Sequence, residues 1–406
     1  MTIHQISFKS AEELAGALAA LGADPRSLPF FDNKREVRCL CVRNADVRAA
    51  NVMKQEMLSL GGDAAVHAHA IDCRAERSGV MLFGTKKQLA NFADKIELMP
   101  WWNFPNTAKD IRAALTGASA GTRRAALPCG AELTFGSRTH IMGIINLTDD
   151  SFYAKSRTRG CAEDAAARAV VMARCGADII DIGAESTRPG AARVPEEQEV
   201  SRISAAAAAI RRELPKIPIS IDTTRESAAR AALEAGADII NDISGLTYEP
   251  RIAAAAAEYG AMLVLMHMRG TPETMASLCE YDDLLGDITD FFDDGISKAQ
   301  EMGVDRAKII LDPGIGFAKN HAQNLFILKH TESFRTFGLP VLIGASRKGT
   351  VGAATDSPDA ADRLEGTLAI SALCAWQGVD IVRVHDVREN KKAVMMASAI
   401  AGAKYE

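Results

Sequence analysis

Gly176-Ala177-Asp178-Ile179-Ile180-Asp181 runs as a glycine, a small residue, an aspartate, two aliphatics and a polar side chain. The same order returns at Gly236-Ala237-Asp238-Ile239-Ile240-Asn241 and at Gly378-Val379-Asp380-Ile381-Val382-Arg383. The glycine tolerates the left-handed turn that ends a helix, and the aliphatic pair reads as a strand buried on both faces, the way parallel strands read. A helix end feeding a buried strand three times over implies βα units. The sixth residue then falls at the strand's carboxyl end, where barrels and open α/β sheets place their active sites. In the three copies it is Asp181, Asn241 and Arg383.

Outward from these segments the alternation is regular. Strands are predicted over 140–146, 178–182, 218–222, 238–242, 262–267, 308–312, 340–344 and 380–384, with helical stretches over 163–175, 196–214, 226–235, 250–259, 284–302, 322–334, 360–376 and 389–399. Eight of each in about 260 residues is the count and size of a (β/α)8 TIM barrel. A doubly wound open sheet would more often carry Gly-x-Gly-x-x-Gly after its first strand, and none stands there. Ahead of the barrel, a strand-like segment over 36–42, a helical pattern over 46–60, a turn at Gly61-Gly62, short strands near 65–68 and 80–83 and a helix over 86–97 describe a small α/β unit. A short helix flanked by linker is expected between 100 and 128. The predicted organisation is α/β: an N-terminal α/β domain of unknown role over 1–125 and a barrel over 126–406.

Composition narrows the function classes. With 406 residues, a net charge of −5 and 24% charged residues, nothing marks a nucleic-acid or anionic-membrane binder, although local cationic clusters for a small anion remain open. Eight cysteines are scattered without a Cys-x-x-Cys, which fits reduced thiols better than a disulfide framework or a zinc site. No basic start leads into an apolar core at the N-terminus, and no run reaches the roughly 18 apolar residues of a membrane span. A soluble, cytoplasmic protein is expected.

The strand ends of the barrel, taken in turn, carry Asn146, Glu185 to Arg188, Asp222, Asn241, His267, Asp312, Lys348 and the Arg383/His385 pair. Asp222, Asn241 and Asp312 can hydrogen-bond a flat heterocycle rich in N–H donors. Arg188, Lys348, Arg383 and His385 are cationic or can become so. The loops Thr187-Arg188-Pro189-Gly190 and Ser346-Arg347-Lys348-Gly349 suit a phosphate. Such a set implies a polar aromatic ring joined to a polyphosphate. Plainer roles stand beside these: Asp312 as a turn residue before Pro313-Gly314, Asp222 as a helix cap, Phe317 as core, His267 as a packed histidine, and Asp181, one step inside its strand, as a partner for neighbouring backbone.

The residues also resemble a known family. Ile141-Met142-Gly143-Ile144-Ile145-Asn146-Leu147-Thr148, Glu185-Ser186-Thr187-Arg188-Pro189-Gly190, Ser220-Ile221-Asp222-Thr223, Ile239-Ile240-Asn241-Asp242, Leu311-Asp312-Pro313-Gly314-Ile315-Gly316-Phe317, Ser346-Arg347-Lys348 and Arg383-Val384-His385-Asp386-Val387 are similar to motifs of dihydropteroate synthases, in order and at family spacing. Leu58-Ser59-Leu60-Gly61-Gly62-Asp63 resembles an N-terminal extension of some longer members. The resemblance implies a barrel that joins the pyrophosphate ester of 6-hydroxymethyl-7,8-dihydropterin to p-aminobenzoate, releasing pyrophosphate with the help of Mg2+. By that likeness Asp222, Asn241 and Asp312 hold the pterin, Lys348 lies beside it near the amine, and Phe317 is a candidate for stacking in the site. Asn146 meets the metal or the pyrophosphate, Thr187 and Arg188 stand on the second loop, and Arg383 and His385 grip the phosphates. The likeness also implies a homodimer formed through barrel helices. The first loop departs from the family: Asp149 stands for a proline and Tyr153-Ala154-Lys155-Ser156 for glycines, which places a negative charge near the pyrophosphate. Two other readings are a methyltetrahydrofolate-dependent methyltransferase, which has no pyrophosphate to release, and a non-catalytic pterin-binding protein.

Overall fold

A computed structural model describes residues 8, 11–117, 121–147, 159–184 and 194–403. Internal contacts divide the chain into two compact units, one of residues 1–119 with 336–338 and 402–406, the other of 120–335 and 339–401. The seven described cysteines are free thiols.

The first unit contains α1 (Ala11–Ala20), α2 (Leu28–Asp32), β1 (Arg38–Asp46), α3 (Val47–Ser59), β2 (Asp63–Val66), β3 (Arg77–Gly84), α4 (Lys86–Glu97) and α5 (Phe104–Gly117). Its antiparallel sheet has the order β1-β3-β2. Alternation along β3 buries Val80 and Leu82 against Met53 and Met57 of α3, Phe92 and Ile96 of α4, and Phe104 and Ile111 of α5. Period-two burial on the strands meets period-3.6 burial on the helices, so one face of the sheet is covered. A capping box at Thr85 and Gln88 starts α4. The Gly61-Gly62 motif has a structural reason: a Cβ at Gly62 would lie 2.8 Å from the Phe83 carbonyl.

The second unit opens with β4 (Arg123–Ala126) and β5 (Glu132–Phe135), an antiparallel hairpin whose first strand falls where linker is expected and whose second follows it unpredicted. Its strands are only four residues long, too short for periodicity to register. The barrel follows: β6 (His140–Asn146), α6 (Arg159–Arg174), β7 (Ile179–Gly183), α7 (Glu196–Glu213), β8 (Ile219–Asp222), α8 (Glu226–Glu234), β9 (Ile239–Asp242), α9 (Ile252–Glu258), β10 (Met262–Met266), α10 (Leu284–Glu301), β11 (Ile309–Asp312), α11 (His321–Lys329), β12 (Leu342–Ile343), α12 (Gly349–Thr355), α13 (Leu364–Gln377), β13 (Ile381–Val384) and α14 (Val387–Ala401). The eight parallel strands run in the order β11-β10-β9-β8-β7-β6-β13-β12. A parallel bridge from Leu311 to Val341, with the Leu311 N–H donating to Pro340 O at 2.9 Å, closes the ring. This is the (β/α)8 barrel that the alternating pattern predicts.

Inside the barrel Met142, Ile179, Ile239, Met262, Val264, Ile310, Leu342 and Ile381 pack with Ala125, Leu127, Leu133 and Phe135 of the hairpin in one buried cluster. The hairpin therefore plugs the amino-terminal end of the barrel, and only the opposite end is available for a site. The repeated motif explains how that floor is built. Gly176, Gly236 and Gly378 all have positive φ after a helix. The third-place aspartate of each copy then accepts the backbone N–H that opens the neighbouring strand. Asp178 takes Ile141 N at 2.9 Å, Asp238 takes Ile219 N at 2.9 Å and Asp380 takes Val341 N at 3.0 Å. Asp238 and Asp380 also receive the hairpin, through Cys129 N and Gly136 N, both at 2.8 Å. These aspartates precede their strands rather than starting them, so the observed strands begin one residue later than the motif suggests.

Candidate active site

The sixth-place residues of the motif converge at the carboxyl ends of the strands. Asp181 on β7 is fully buried. Its Oδ2 accepts from Arg383 Nε of β13 at 2.7 Å and lies 2.6 Å from Arg383 Nη2, while Oδ1 accepts a long 3.4 Å bond from Asn241 Nδ2 of β9. Arg383 Nη2 also donates to Asp222 Oδ2 of β8 at 2.7 Å. One guanidinium thus lies between two carboxylates, and its Nη1 takes no part in these bonds. Asp181 is more than a partner for neighbouring backbone: the inward face of its strand aims the carboxylate across the barrel at Arg383. Arg225, not Asp222, is the cap position of α8, so Asp222 turns into the barrel instead of capping the helix.

The charges in this cluster shift one another. Burial, then the negative charge of Asp181, push the Asp222 carboxyl up to about 7 against the pull of Arg383 and Lys348. Arg383 is held above its ordinary value: burial works against the cation, but Asp181 and Asp222 outweigh it. Asp312, at the end of β11, accepts Gly314 N at 2.8 Å, and burial raises its carboxyl although Lys348 opposes. A Cβ at Gly344 would lie 3.8 Å from both Asp312 Oδ2 and Arg383 Cβ, which puts these side chains on one patch of the mouth.

Beyond Asp312 the loop of residues 313–319 carries Phe317. Lys348 stretches over its ring, Nζ 4.5 Å from the centroid, and donates to Ile315 O at 2.6 Å. Burial lowers the Lys348 ammonium to about 8, Asp312 sustaining it and Arg383 opposing. Ser346, two residues earlier, lies 3.1 Å from His385 Nδ1 through its Oγ, which also accepts the His385 backbone N–H at 3.2 Å. Arg347 between them adopts φ 56° and forms a two-pronged pair with Asp386, at 2.6 and 2.8 Å. Its left-handed backbone sends Ser346 and Lys348 toward the mouth and Arg347 away from it. The phosphate expected on the Ser346–Gly349 loop therefore finds Arg347 already committed to Asp386. Arg347 and Asp386 bridge the β12 and β13 loops.

His267 is buried with its ring edge-on to Phe291 at 4.9 Å, and Lys319 Nζ lies 2.9 Å from its Nδ1. Burial first, then Lys319 and Arg269, depress this imidazole to about 2, which keeps it a neutral, packed histidine. Asn146 is half-buried at the end of β6. Thr187 and Arg188, with Asp149 and residues 153–156 of the altered first loop, lie outside the described residues. Lys319 is missed by sequence reasoning, its only signal being a lysine two residues after Phe317; Arg347 and Asp386 both stand in quoted motifs, but their pairing is not legible there.

Among the described residues, the fold and mouth define an enzyme of the (β/α)8 class whose centre gathers buried carboxylates, an asparagine and two cations at the carboxyl ends of the strands. Comparison with known proteins carries this further. A family profile described as pterin binding enzyme matches residues 142–385. A dihydropteroate synthase of Synechocystis sp. is 46% identical over 275 residues, covering 68% of this chain and 94% of that protein. A solved dihydropteroate synthase of Xanthomonas albilineans, described with 4-aminobenzoic acid, is 35% identical with a TM-score of 0.64, covering 70% of this chain and all of that one. A probable bifunctional folylpolyglutamate synthase/dihydropteroate synthase of Haloferax volcanii is 37% identical over 360 residues, 87% of this chain and 42% of that protein. A match of that extent is longer than the barrel unit, so it takes in much of the N-terminal unit as well. The chain belongs to the pterin binding enzymes and, within them, to the dihydropteroate synthases.

Proposed function

We propose that this mouth joins the pyrophosphate ester of 6-hydroxymethyl-7,8-dihydropterin to p-aminobenzoate, with Asp222, Asn241 and Asp312 holding the pterin. The observation that carries the reading is the single guanidinium of Arg383 shared by Asp181 and Asp222, next to Asp312 and Lys348. The C–O bond to pyrophosphate breaks and leaves positive charge on a methylene conjugated with the ring. Buried carboxylates stabilise that charge, because an ordered low-dielectric site magnifies it. Arg383 uses Nη1 toward the departing pyrophosphate, and His385 with Thr187 and Arg188 completes that grip. The amine of p-aminobenzoate then forms the new C–N bond beside Lys348 and Phe317, and its surplus proton passes to water. Lys348 at about 8 remains a cation at neutral pH and serves as a donor, not a base.

The described residues hold no group of three or more His, Cys, Asp or Glu side chains placed for a metal. Asn146 is a neutral oxygen donor at the strand end, which fits a Mg2+ that takes its other ligands from pyrophosphate and water. Bound there, the ion would neutralise charge on the leaving group. The experiment is incubation of purified protein with the pterin pyrophosphate, p-aminobenzoate and Mg2+: equal amounts of dihydropteroate and pyrophosphate are expected, and absence of both overturns the reading.

The raised Asp222 carboxyl makes pterin affinity depend on pH. Protonation turns one of its two acceptor oxygens into a donor and removes the charge that faces the ring N–H groups, so affinity is full above about 7 and drops up to about tenfold per unit below it. The same group stabilises the fold below the ordinary carboxylate range, near pH 4, and loses that contribution as pH rises through about 7. Calorimetric titration between pH 5.5 and 8.5 tests this, with Asp222→Asn expected to flatten the profile. An unchanged slope in the variant would assign the titration elsewhere.

The outer faces of α13 and α14 expose Trp376 (42%), Met395 (61%), Met396 (62%) and Ile400 (52%), and this apolar surface supports a homodimer through the barrel helices. Sedimentation of a dimer that Met395→Glu/Met396→Glu converts to monomer is expected; a monomeric parent chain refutes it. No described helix is long and apolar enough to cross a membrane, and we place the enzyme in the cytoplasm. The N-terminal unit we take to be a separate domain.

A further inference from the structure

Lys319 belongs to none of the roles assigned so far. The residue is 7% exposed, and its ammonium meets Phe317 O at 2.8 Å, His267 Nδ1 at 2.9 Å, Gly314 O at 3.1 Å and His267 O at 3.3 Å. Two of these acceptors lie just past the end of β10 and two on the loop after β11. That loop passes through positive φ at Gly314 (70°), Gly316 (82°) and Ala318 (49°), and repeated reversal of the peptide planes brings two carbonyls to one point. Three inward carbonyls need a donor once they are buried. Loop and strand end also touch backbone to backbone, since a Cβ at Gly314 would fall 2.1 Å from His267 O.

What hangs on this knot is the Lys348 end of the mouth. The loop supplies both the ring beneath Lys348 and the Ile315 carbonyl that its Nζ reaches. A shift of the loop moves both together, whereas of the pterin groups Asp222 and Asn241 sit on other strands and only Asp312, fixed at the end of β11, touches the loop, through Gly314 N. We propose that Lys319 is a positioning residue for the p-aminobenzoate side of the site, tying the 314–317 loop to the end of β10 so that Phe317 and Ile315 hold Lys348 in place. This rests on the assignment of Lys348 and Phe317 made above. Outer ties persist without Lys319: Tyr281 donates to Ala318 O at 2.9 Å, and Gly316 N donates to Asn324 Oδ1 at 2.7 Å. The loop of a Lys319→Met protein is therefore loosened, not lost.

The test compares the parent chain with Lys319→Met and Lys319→Gln in steady-state kinetics and in hydrogen exchange of the ligand-free proteins. Lys319→Met is expected to raise KM for p-aminobenzoate about tenfold or more while KM for the pterin pyrophosphate stays within about threefold. The backbone N–H groups within 313–320, all but Pro313, are expected to exchange at least about tenfold faster, with the rest of the barrel unchanged. Lys319→Gln, which keeps two N–H donors, recovers part of both effects, and it carries the same comparison if Lys319→Met does not fold. An unchanged KM for p-aminobenzoate, equal rises in both KM values, or unaltered exchange at 313–320 overturns the proposal. If the parent chain itself makes no dihydropteroate, the functional assignment falls, and the exchange result alone decides whether Lys319 ties the loop.

Discussion

Arg383→Ala is expected to lower kcat/KM by at least about a thousandfold and to cost about 3 to 5 kcal/mol of stability near pH 8. The reason is the geometry of one side chain with two buried partners: Asp181 is fully buried, and Asp222 leans on the same guanidinium. Without the arginine both carboxylates stay in a low-dielectric mouth with no cation between them. Asp222, already raised by burial, then binds its proton at still higher pH in the folded chain than in the unfolded one. Stability is therefore retained in acid and lost as pH rises, so the deficit narrows toward pH 5. The family resemblance places Arg383 at the pyrophosphate, where its loss would weaken pyrophosphate binding much more than pterin binding. With Asp222 tied to Arg383, affinity for the pterin falls as well. Arg383→Lys keeps the charge but not the fork, and an intermediate loss is expected. Thermal unfolding between pH 5 and 8, with pterin titrations alongside, checks all three statements; an alanine variant within tenfold of the parent activity would refute the shared-guanidinium account.

Asp238→Ala is expected to destabilise the barrel by about 3 to 5 kcal/mol while leaving the mouth intact. Asp238 is fully buried at the opposite end, where it accepts Ile219 N and Cys129 N and pairs with Arg211 at 2.5 Å. Its removal strands two backbone donors, takes the counter-charge from an Arg211 that keeps its bonds to the Gly236, Leu214, Pro215 and Ile217 carbonyls, and unties the Cys129 end of the hairpin that plugs the barrel floor. Because Asp238 lies three residues before Asn241, immediately ahead of the strand that carries it, Asp238→Ala separates scaffold from site: it should lower the unfolding midpoint with KM values unchanged for the protein that remains folded. Denaturant unfolding together with kinetics tests this, and a midpoint within error of the parent chain would show that water replaces the carboxylate without cost.

How much of this was legible can be seen residue by residue. Asn241 and Arg383 were found because a polar side chain after two aliphatics is a local signal. Asp181 carries the same signal, yet its role depends on which way the strand faces and on a partner 202 residues away. The hairpin at 123–135 escaped because its strands are too short for alternation to register. The Ser346–Gly349 loop suited a phosphate because its charges are plain in the sequence, whereas the φ of 56° at Arg347 and its pairing with Asp386 are not. Nothing local in the sequence singles out Lys319, because the carbonyls of Gly314, Phe317 and His267 converge on it only in the folded chain.

The sequence by itself determined the βα repeat, the barrel, the resemblance to dihydropteroate synthases and the ring of polar strand ends, because hydrophobic period, helix-stopping glycines and terminal polar residues are properties of consecutive positions. The tertiary structure decided which of those polar groups share a proton-binding environment, which cation each carboxylate meets and which aspartates hold the floor. Those outcomes depend on charges brought together by the closure of the ring, and Coulomb interactions across a buried mouth act through distance in space and not along the chain.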